Sequence, residues 1–139
     1  MTTSNPRVYA GFIALDPMPA PRPRARVLGR YAQVYMPSEY STWKDKAVEM
    51  LRGAERLPPD ELLARPVTVD MTVLAPKPKT SKLNLPRPDV DNYAKAALDA
   101  LTQSDCWWVD DTQVRQLRVS KQWADPGEAP GISFTVTYE

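Results

Sequence analysis

A helix flanked by two acidic pairs constrains what this chain can fold into more than any other feature. Asp89 and Asp91 stand where the helix is predicted to begin, and Asp110 and Asp111 follow its predicted end. Five residues between the pairs recur at i, i+3, i+4, i+7 and i+8; they are Tyr93, Ala96, Ala97, Ala100 and Leu101. A face of mostly small side chains allows close packing, so we expect this helix to lie against a sheet or another helix.

The segments around this helix predict a scaffold of strands and one further helix. Alternation of apolar and polar residues, or a run of β-forming residues, predicts strands over 8–15, 31–36, 67–75, 114–123 and 132–138. A helix is predicted from Glu39 to about Gly53, with Ser38 as its N-cap. The element order is then β-β-α-β-α-β-β, which predicts an α+β fold. We expect a single domain over residues 1–139, with a mixed β-sheet and two main helices.

Two proline-rich stretches are predicted to form mobile, basic loops, over about residues 17–30 and 76–88. The chain has 15 prolines and only 5 glycines, and each proline fixes φ and removes a hydrogen-bond donor. Neither stretch contains an acidic residue, and their cations are Arg22, Arg24, Arg26, Arg30, Lys77, Lys79, Lys82 and Arg87. Basic flanks around an acidic centre favour binding of a polyanion. Alternatively, both stretches are basic only because they are loops exposed to solvent. A further alternative for the first stretch is a proline-rich segment that binds a partner.

The absence of histidine and the single cysteine narrow the available chemistry. The 139 residues include no His and only Cys106 as a thiol, which excludes His-based triads and zinc sites built from His or several thiolates of this chain. A lone cysteine forms no internal disulfide, which fits a reducing cytoplasm. We expect a cytoplasmic protein without a membrane segment, because the N-terminus lacks the apolar core of a signal peptide and no run of about 18 apolar residues occurs.

The acidic residues themselves predict a divalent-metal site. Asp91, Lys95 and Asp99 are spaced at i, i+4 and i+8 and therefore share one helix face. Two acidic pairs joined by about three helical turns can meet at one point, where their repulsion requires a cation. Mg²⁺ or Mn²⁺ suits such oxygen ligands. The alternative is that Asp89 and Asp91 form only a turn and a helix cap. Asp99 is expected to be a lysine partner or a structural residue rather than a metal ligand.

Two adjacent tryptophans, Trp107 and Trp108, precede the second acidic pair. Buried aromatic side chains dominate protein cores, so we expect at least one of the two to lie in the core. The alternative is that one of them stacks on an opened nucleic-acid base.

The acidic stretch resembles the RusA-type Holliday junction resolvases, in particular their phage and prophage members. The family's pattern is Asp-x-Asp-Asn-x-x-Lys, then an Asp-Ala-Leu segment, then Trp-x-Asp-Asp-x-Gln-Val, and this chain matches it at 89–95, 98–102 and 108–114. The link between the helix and Trp108 is about one residue longer than usual in the family. Alignment from Trp108 favours Asp111 over Asp110 as the family's third catalytic aspartate.

The resemblance implies a RusA-like fold and an Mg²⁺-dependent endonuclease that cuts four-way DNA junctions by paired symmetric incisions in recombination and repair. Its catalytic residues would be Asp89, Asp91, Lys95 and Asp111. The three aspartates would bind Mg²⁺, or Mn²⁺ in its place, with Asp110 as the alternative third ligand. The partners would be the junction, whose backbone the basic loops would contact, and a second copy of the chain in a homodimer. Two other functions stay open: a non-catalytic junction- or DNA-binding protein, and a metal-dependent nuclease acting on other branched DNA.

Overall fold

Six strands and two helices form within the described residues of the computed structural model, which are 7–21, 24–28, 31–35 and 37–139. In chain order the elements are β1 (Val8–Ile13), β2 (Arg24–Leu28), β3 (Tyr31–Tyr35), α1 (Ser38–Arg52), β4 (Val67–Ala75), α2 (Val90–Ser104), β5 (Val114–Trp123) and β6 (Gly131–Tyr138). Single 3₁₀ turns lie at Asp60–Leu62 and Asp111–Gln113. Neither helix of this part of the chain is long and apolar enough to span a lipid bilayer.

Four of the strands form one mixed sheet in the order β1-β6-β4-β5. β6 pairs antiparallel with both β1 and β4, whereas β4 and β5 are parallel. Parallel neighbours need a crossover connection, and α2 provides it between β4 and β5. The helix that follows the first acidic pair is therefore held beside the edge strand that follows the second pair.

The core lies between one face of this sheet and the two helices. β4 alternates buried Val67, Val69, Met71 and Val73 with half-buried residues, so only one of its faces is fully covered. α1 and α2 pack against each other, α1 also packs against β1, and α2 packs against β5. The predicted small-residue face of α2 is confirmed, since all five of its residues are buried.

The α+β fold with a mixed sheet and two main helices is confirmed, with corrections in the first third of the chain. Arg24 and Arg26 lie in β2, so residues 24–28 form a strand and not part of an extended loop. β2 pairs with β3 in a separate two-stranded sheet, which adds a strand to the predicted order and removes 31–35 from the main sheet. Ser38 is the first helical residue rather than the N-cap, because Pro37 occupies that position.

Trp107 anchors the link between α2 and β5 in the core. Both tryptophans are fully buried, which confirms the prediction that at least one of them lies in the core. The Trp107 indole N–H donates to the Leu51 carbonyl of α1 over 3.2 Å, and the Trp107 carbonyl accepts a hydrogen bond from the Tyr138 hydroxyl of β6. The Trp107 ring also meets Phe134 edge-on, with ring centroids 4.9 Å apart. One residue thus ties the link to a helix and to the central part of the sheet.

Thr102→Val tests the hydrogen bond that holds the second tryptophan. The buried Trp108 indole N–H donates to the Thr102 hydroxyl over 2.8 Å, and valine keeps the shape of threonine without the acceptor. An unsatisfied buried donor costs about 1–3 kcal/mol, so we expect a loss of that size in the free energy of unfolding, measured by urea denaturation. Thr112→Val, at an exposed position, is the matched control and should change it by less than about 0.5 kcal/mol. Equal losses in the two variants would contradict this role of Thr102.

Candidate active site

A groove of about 530 Å³ runs between the exposed side of α2 and the edge strand β5. It is lined by Val90, Asp91, Ala94, Lys95, Leu98 and Asp99 of α2, by Asp111, and by Leu117 and Val119 of β5. Three carboxylates and one lysine therefore face a common space, with apolar residues between them. Both acidic clusters identified in the sequence contribute to this groove.

The helix supplies three of the charged side chains through its own periodicity. Asp91, Lys95 and Asp99 are four residues apart and all line the groove, as predicted for residues on one helix face. Eight residues separate Asp91 from Asp99, which is a rise of about 12 Å along the helix axis. The groove therefore has an Asp91 end and an Asp99 end, with Lys95 between them.

The two carboxylates of the second acidic pair make different contacts. Asp110 caps the 3₁₀ turn before β5: its side chain accepts from the Thr112 backbone N–H at 3.3 Å. The Gln113 side-chain oxygen completes this capping box by accepting from the Asp110 N–H at 2.9 Å. Asp111 instead lines the groove. Because the Asp110 carboxylate is already engaged with the backbone, Asp111 is the better placed of the two to bind a ligand there.

Negative charge accumulates at the Asp99 end of the groove. Asp99 accepts a hydrogen bond of 3.0 Å from the Tyr40 hydroxyl of α1. Burial and the Asp99 carboxylate raise the pKa of Tyr40, so its hydroxyl stays a neutral donor. The pKa of the Asp111 carboxyl is raised by a hydrogen bond with Asp110, by desolvation, and by the charges of Asp110 and Asp99. A cation in the groove would relieve this repulsion.

Asp89 occupies the N-cap position of α2 but its side chain does not cap the helix. Its backbone carbonyl accepts from the N–H groups of Asn92 and Tyr93. Asp91 lies in the first turn, where its carboxylate accepts from the Asn92 N–H at 3.0 Å. Helix capping by the side chain therefore does not account for Asp89. Asp89 is exposed and directly precedes the groove residue Val90 along the chain, although Asp89 itself is not one of the lining residues.

The donors in the groove fit a hard divalent cation. Its charged residues offer carboxylate oxygens and no sulfur or imidazole. Across 7–21, 24–28, 31–35 and 37–139, no three acidic, His or Cys side chains come together in a ready-made metal cage. Mg²⁺ commonly takes one or two carboxylates and completes its shell with waters and substrate phosphates. Joint ligation by Asp89, Asp91 and Asp111 stays a prediction.

The predicted DNA-contacting cations fall in two places. The loop between β4 and α2 exposes Lys77, Lys79, Lys82 and Arg87. This loop leads directly into Asp89, and Arg87 is the cation nearest to it along the chain, whereas Lys77 and Lys79 lie beside the connection between β5 and β6. Arg22 lies outside the described residues, and so do the side chains of Arg24 and Arg26, whose backbone belongs to β2.

Sequence reasoning missed the partner of Asp99 and the apolar lining of the groove. Tyr40 was predicted to be scaffold, yet its hydroxyl takes the place of the lysine partner expected for Asp99. A buried tyrosine hydroxyl needs a hydrogen-bond partner. A tyrosine in the predicted helix was therefore the sequence signal for this contact. Alternation along β5 predicted a strand without indicating that Leu117 and Val119 would face α2.

An acidic, lysine-containing groove in an α+β domain is suited to metal-assisted hydrolysis of phosphodiesters. The chain is a member of the RusA endodeoxyribonuclease family, whose family model matches residues 14–136. It is therefore an endodeoxyribonuclease of a family that resolves Holliday junctions and generally depends on a divalent metal. The chain is also similar to the uncharacterized protein YqaN of Bacillus subtilis strain 168. The two are 29% identical over 124 residues, covering 79% of this chain and 84% of YqaN.

Asp111→Asn tests the charge repulsion at the Asp99 end of the groove. Because folding raises the pKa of the Asp111 carboxyl, its protonated form favours the folded state. This stabilisation is complete below the ordinary carboxyl pKa and is lost as the pH rises through the raised value. Asparagine resembles the protonated form at every pH. We therefore expect the variant and the wild type to have similar free energies of unfolding at about pH 3, and the variant to be more stable at about pH 7.

The measurement is urea denaturation at several pH values in the presence of EDTA. Asp111 is exposed, so solvent screening keeps the expected difference small. Asp45→Asn, which removes an exposed carboxylate from α1, is the control. A stability difference between Asp111→Asn and wild type that does not grow with pH would contradict the repulsion.

Proposed function

We propose that this chain is an Mg²⁺-dependent endonuclease that cuts four-way DNA junctions by paired symmetric incisions, with Mn²⁺ able to replace Mg²⁺. The observation that carries the proposal is a single groove lined by Asp91, Lys95 and Asp111 in a chain of the RusA endodeoxyribonuclease family. Carboxylates and a lysine facing one space are what metal-assisted phosphodiester hydrolysis requires.

The charged residues in and beside the groove have different roles in the proposed reaction. Asp89 and Asp91 at one end of the groove and Asp111 toward the other would supply the ligands for divalent-cation binding, and Asp110 is the weaker candidate because its carboxylate caps a turn. A bound cation would supply an activated water and offset negative charge on the phosphate. Lys95 lies between the two acidic ends, from where its ammonium can donate to a phosphate oxygen as charge builds on it.

The basic residues would hold the DNA backbone against the groove. Four exposed cations precede Asp89 on the loop after β4, and Arg22, Arg24 and Arg26 would add contacts from the β2 region. Two symmetric cuts need two active sites, and a two-fold homodimer supplies them. The reaction would take place in the cytoplasm, which is that of a bacterial host if the chain is phage-encoded, and would serve recombination and repair.

Cleavage of a synthetic four-way junction by Asp91→Asn tests the central carboxylate of the groove. Several kcal/mol of transition-state stabilisation depend on a correctly held metal, so we expect cleavage with Mg²⁺ to fall by about 100-fold or more. Junction binding, measured by gel shift in EDTA, should survive because the DNA contacts are made by other residues. Asp45→Asn on α1 is the matched control and should cut like the wild type.

The outcomes of this assay separately test the nuclease activity and the roles of the individual carboxylates. An intact junction after incubation with folded, dimeric wild type and Mg²⁺ would contradict the endonuclease proposal and favour a DNA-binding protein. Cutting by Asp91→Asn at the wild-type rate would contradict the role of that carboxylate. Asp111→Asn should resemble Asp91→Asn, whereas Asp110→Asn should retain more cleavage. The reverse order would make Asp110 the third ligand.

Arg22→Ala and Arg24→Ala test the contacts with the DNA backbone. Each lost phosphate contact should weaken junction binding and reduce the slope of log K against log salt concentration by roughly 1. Fluorescence anisotropy over roughly 50–200 mM salt measures this slope. Arg56→Ala is the control, since the Arg56 guanidinium lies over the Tyr9 ring of β1, 5.4 Å from its centroid. An unchanged slope in both test variants would rule out their contact with phosphates.

A further inference from the structure

Lys121 reaches from the edge strand to the chain segment that leads into Asp89. It follows the groove residue Val119 by two positions in β5, so strand alternation places both on the same face of the sheet. Its ammonium donates to two backbone carbonyls, that of Pro86 over 2.9 Å and that of Pro88 over 2.8 Å. One side chain therefore joins β5 to both ends of a three-residue segment.

This segment has no secondary structure to hold it. Residues 86–88 read Pro-Arg-Pro and form neither helix nor strand. Prolines have no backbone N–H, and the carbonyls on either side of Arg87 need donors from elsewhere. A charged donor makes stronger hydrogen bonds than a neutral one. The Lys121 ammonium is thus suited to fix this part of the loop.

The contact with Pro88 bears directly on Asp89. The Pro88 carbonyl belongs to the peptide bond that joins these two residues, and that bond is planar, so fixing the carbonyl fixes the direction in which the chain enters Asp89. The Asp89 side chain makes no capping hydrogen bond, so the direction of its backbone sets the positions that the carboxylate can reach by side-chain rotation. The ion pairs found in the described part of the chain involve other cations, and Lys121 directs its charge at the loop.

A second side chain of β5 holds the same loop farther from Asp89. The Trp123 indole N–H donates to the Leu83 carbonyl over 2.9 Å. This contact lies six residues before Asp89 along the chain. A variant that loses this contact therefore shows what loosening the loop does when the contacts next to Asp89 are kept.

We propose that Lys121 is a positioning residue that places the Asp89 carboxylate for metal binding by clamping the Pro86 and Pro88 carbonyls. The inference rests on the proposed function, in which Asp89 is a metal ligand. Lys121 acts through the backbone and touches neither metal nor DNA in this role. Removal of groups that orient metal ligands typically lowers metal affinity or activity by about 10–100-fold.

The test compares Mn²⁺ binding by Lys121→Met and Lys121→Arg in the full chain without DNA. Paramagnetic broadening of the Asp89 and Asp91 amide signals in NMR spectra reports binding during a Mn²⁺ titration. Lys121→Met should need about 10-fold more Mn²⁺ for half-maximal broadening. Lys121→Arg keeps a charged donor and should recover most of the affinity. Lys46→Met, which removes an exposed lysine from α1, controls for the lost charge and should match the wild type.

Two further variants separate positioning from loop stability. Trp123→Phe removes the Leu83 anchor and should leave Mn²⁺ affinity at the wild-type level. Asp89→Asn should weaken Mn²⁺ binding and cancel any further loss from Lys121→Met, because Lys121 acts through Asp89. Equal effects of Trp123→Phe and Lys121→Met, or an additive loss in the Asp89→Asn background, would overturn the proposal.

Failure of this inference is distinguishable from failure of the proposed function. If the wild type cuts junctions and Lys121→Met binds Mn²⁺ like the wild type, only the positioning role is wrong. If the wild type leaves junctions intact but Lys121→Met weakens Mn²⁺ binding as expected, only the nuclease proposal is wrong. No broadening at Asp89 in the wild type would also overturn the positioning role. Should Lys121→Met fail to fold, Lys121→Gln, with neutral donors, should show the same weakening, and wild-type affinity in that variant would overturn the role.

Discussion

Close packing of α2 against α1 and the sheet is the contact on which the rest of the site depends. Ala96, Ala97 and Ala100 are completely buried, which lets the helix backbone lie near the elements packed against it. A larger side chain on this face would push the helix outward at a cost of about 1–3 kcal/mol. Because side chains follow the helical repeat of 3.6 residues, burial of the alanine face also sets the rotation of the helix. That rotation decides that Asp91 and Lys95 face the groove.

The two ends of the groove are held by different kinds of interaction. At the Asp99 end, burial of Trp107 and Trp108 in the core fixes the link to β5, and the capping box of Asp110 then leaves Asp111 to line the groove. At the Asp91 end, an irregular proline-containing loop depends on side chains of β5 that donate to its carbonyls. Core burial resists local opening more than a few polar contacts near the surface do. We therefore expect the segment before Asp89 to open at a lower free-energy cost than the link to β5.

Periodicity along the chain was enough to predict β4, β5 and the buried face of α2, because each depends on a local repeat of apolar residues. The bounds of β4 and β5 agree with the predicted 67–75 and 114–123. The prediction failed over 24–28, since an extended loop differs from a strand only in having a partner, and pairing with β3 is not a local property. The same limit applies to Asp99, whose partner Tyr40 is 59 residues away. The distinction between Asp110 and Asp111 was more accessible, because an Asp followed three residues later by Gln113 is a capping-box signature.

Carboxylates at both ends of the groove link metal binding to DNA binding. The N-terminal end of a helix carries partial positive charge and its C-terminal end partial negative charge. Here the N-terminal end follows the basic loop and carries Asp89 and Asp91. Asp99 and Asp111 lie toward the other end, where a hydrogen bond with Asp110, desolvation, and repulsion by the charges of Asp110 and Asp99 raise the pKa of Asp111. A DNA phosphate entering the groove adds negative charge to that repulsion, and a divalent cation removes it. Each therefore lowers the free-energy cost of binding the other, so metal and DNA binding should reinforce each other.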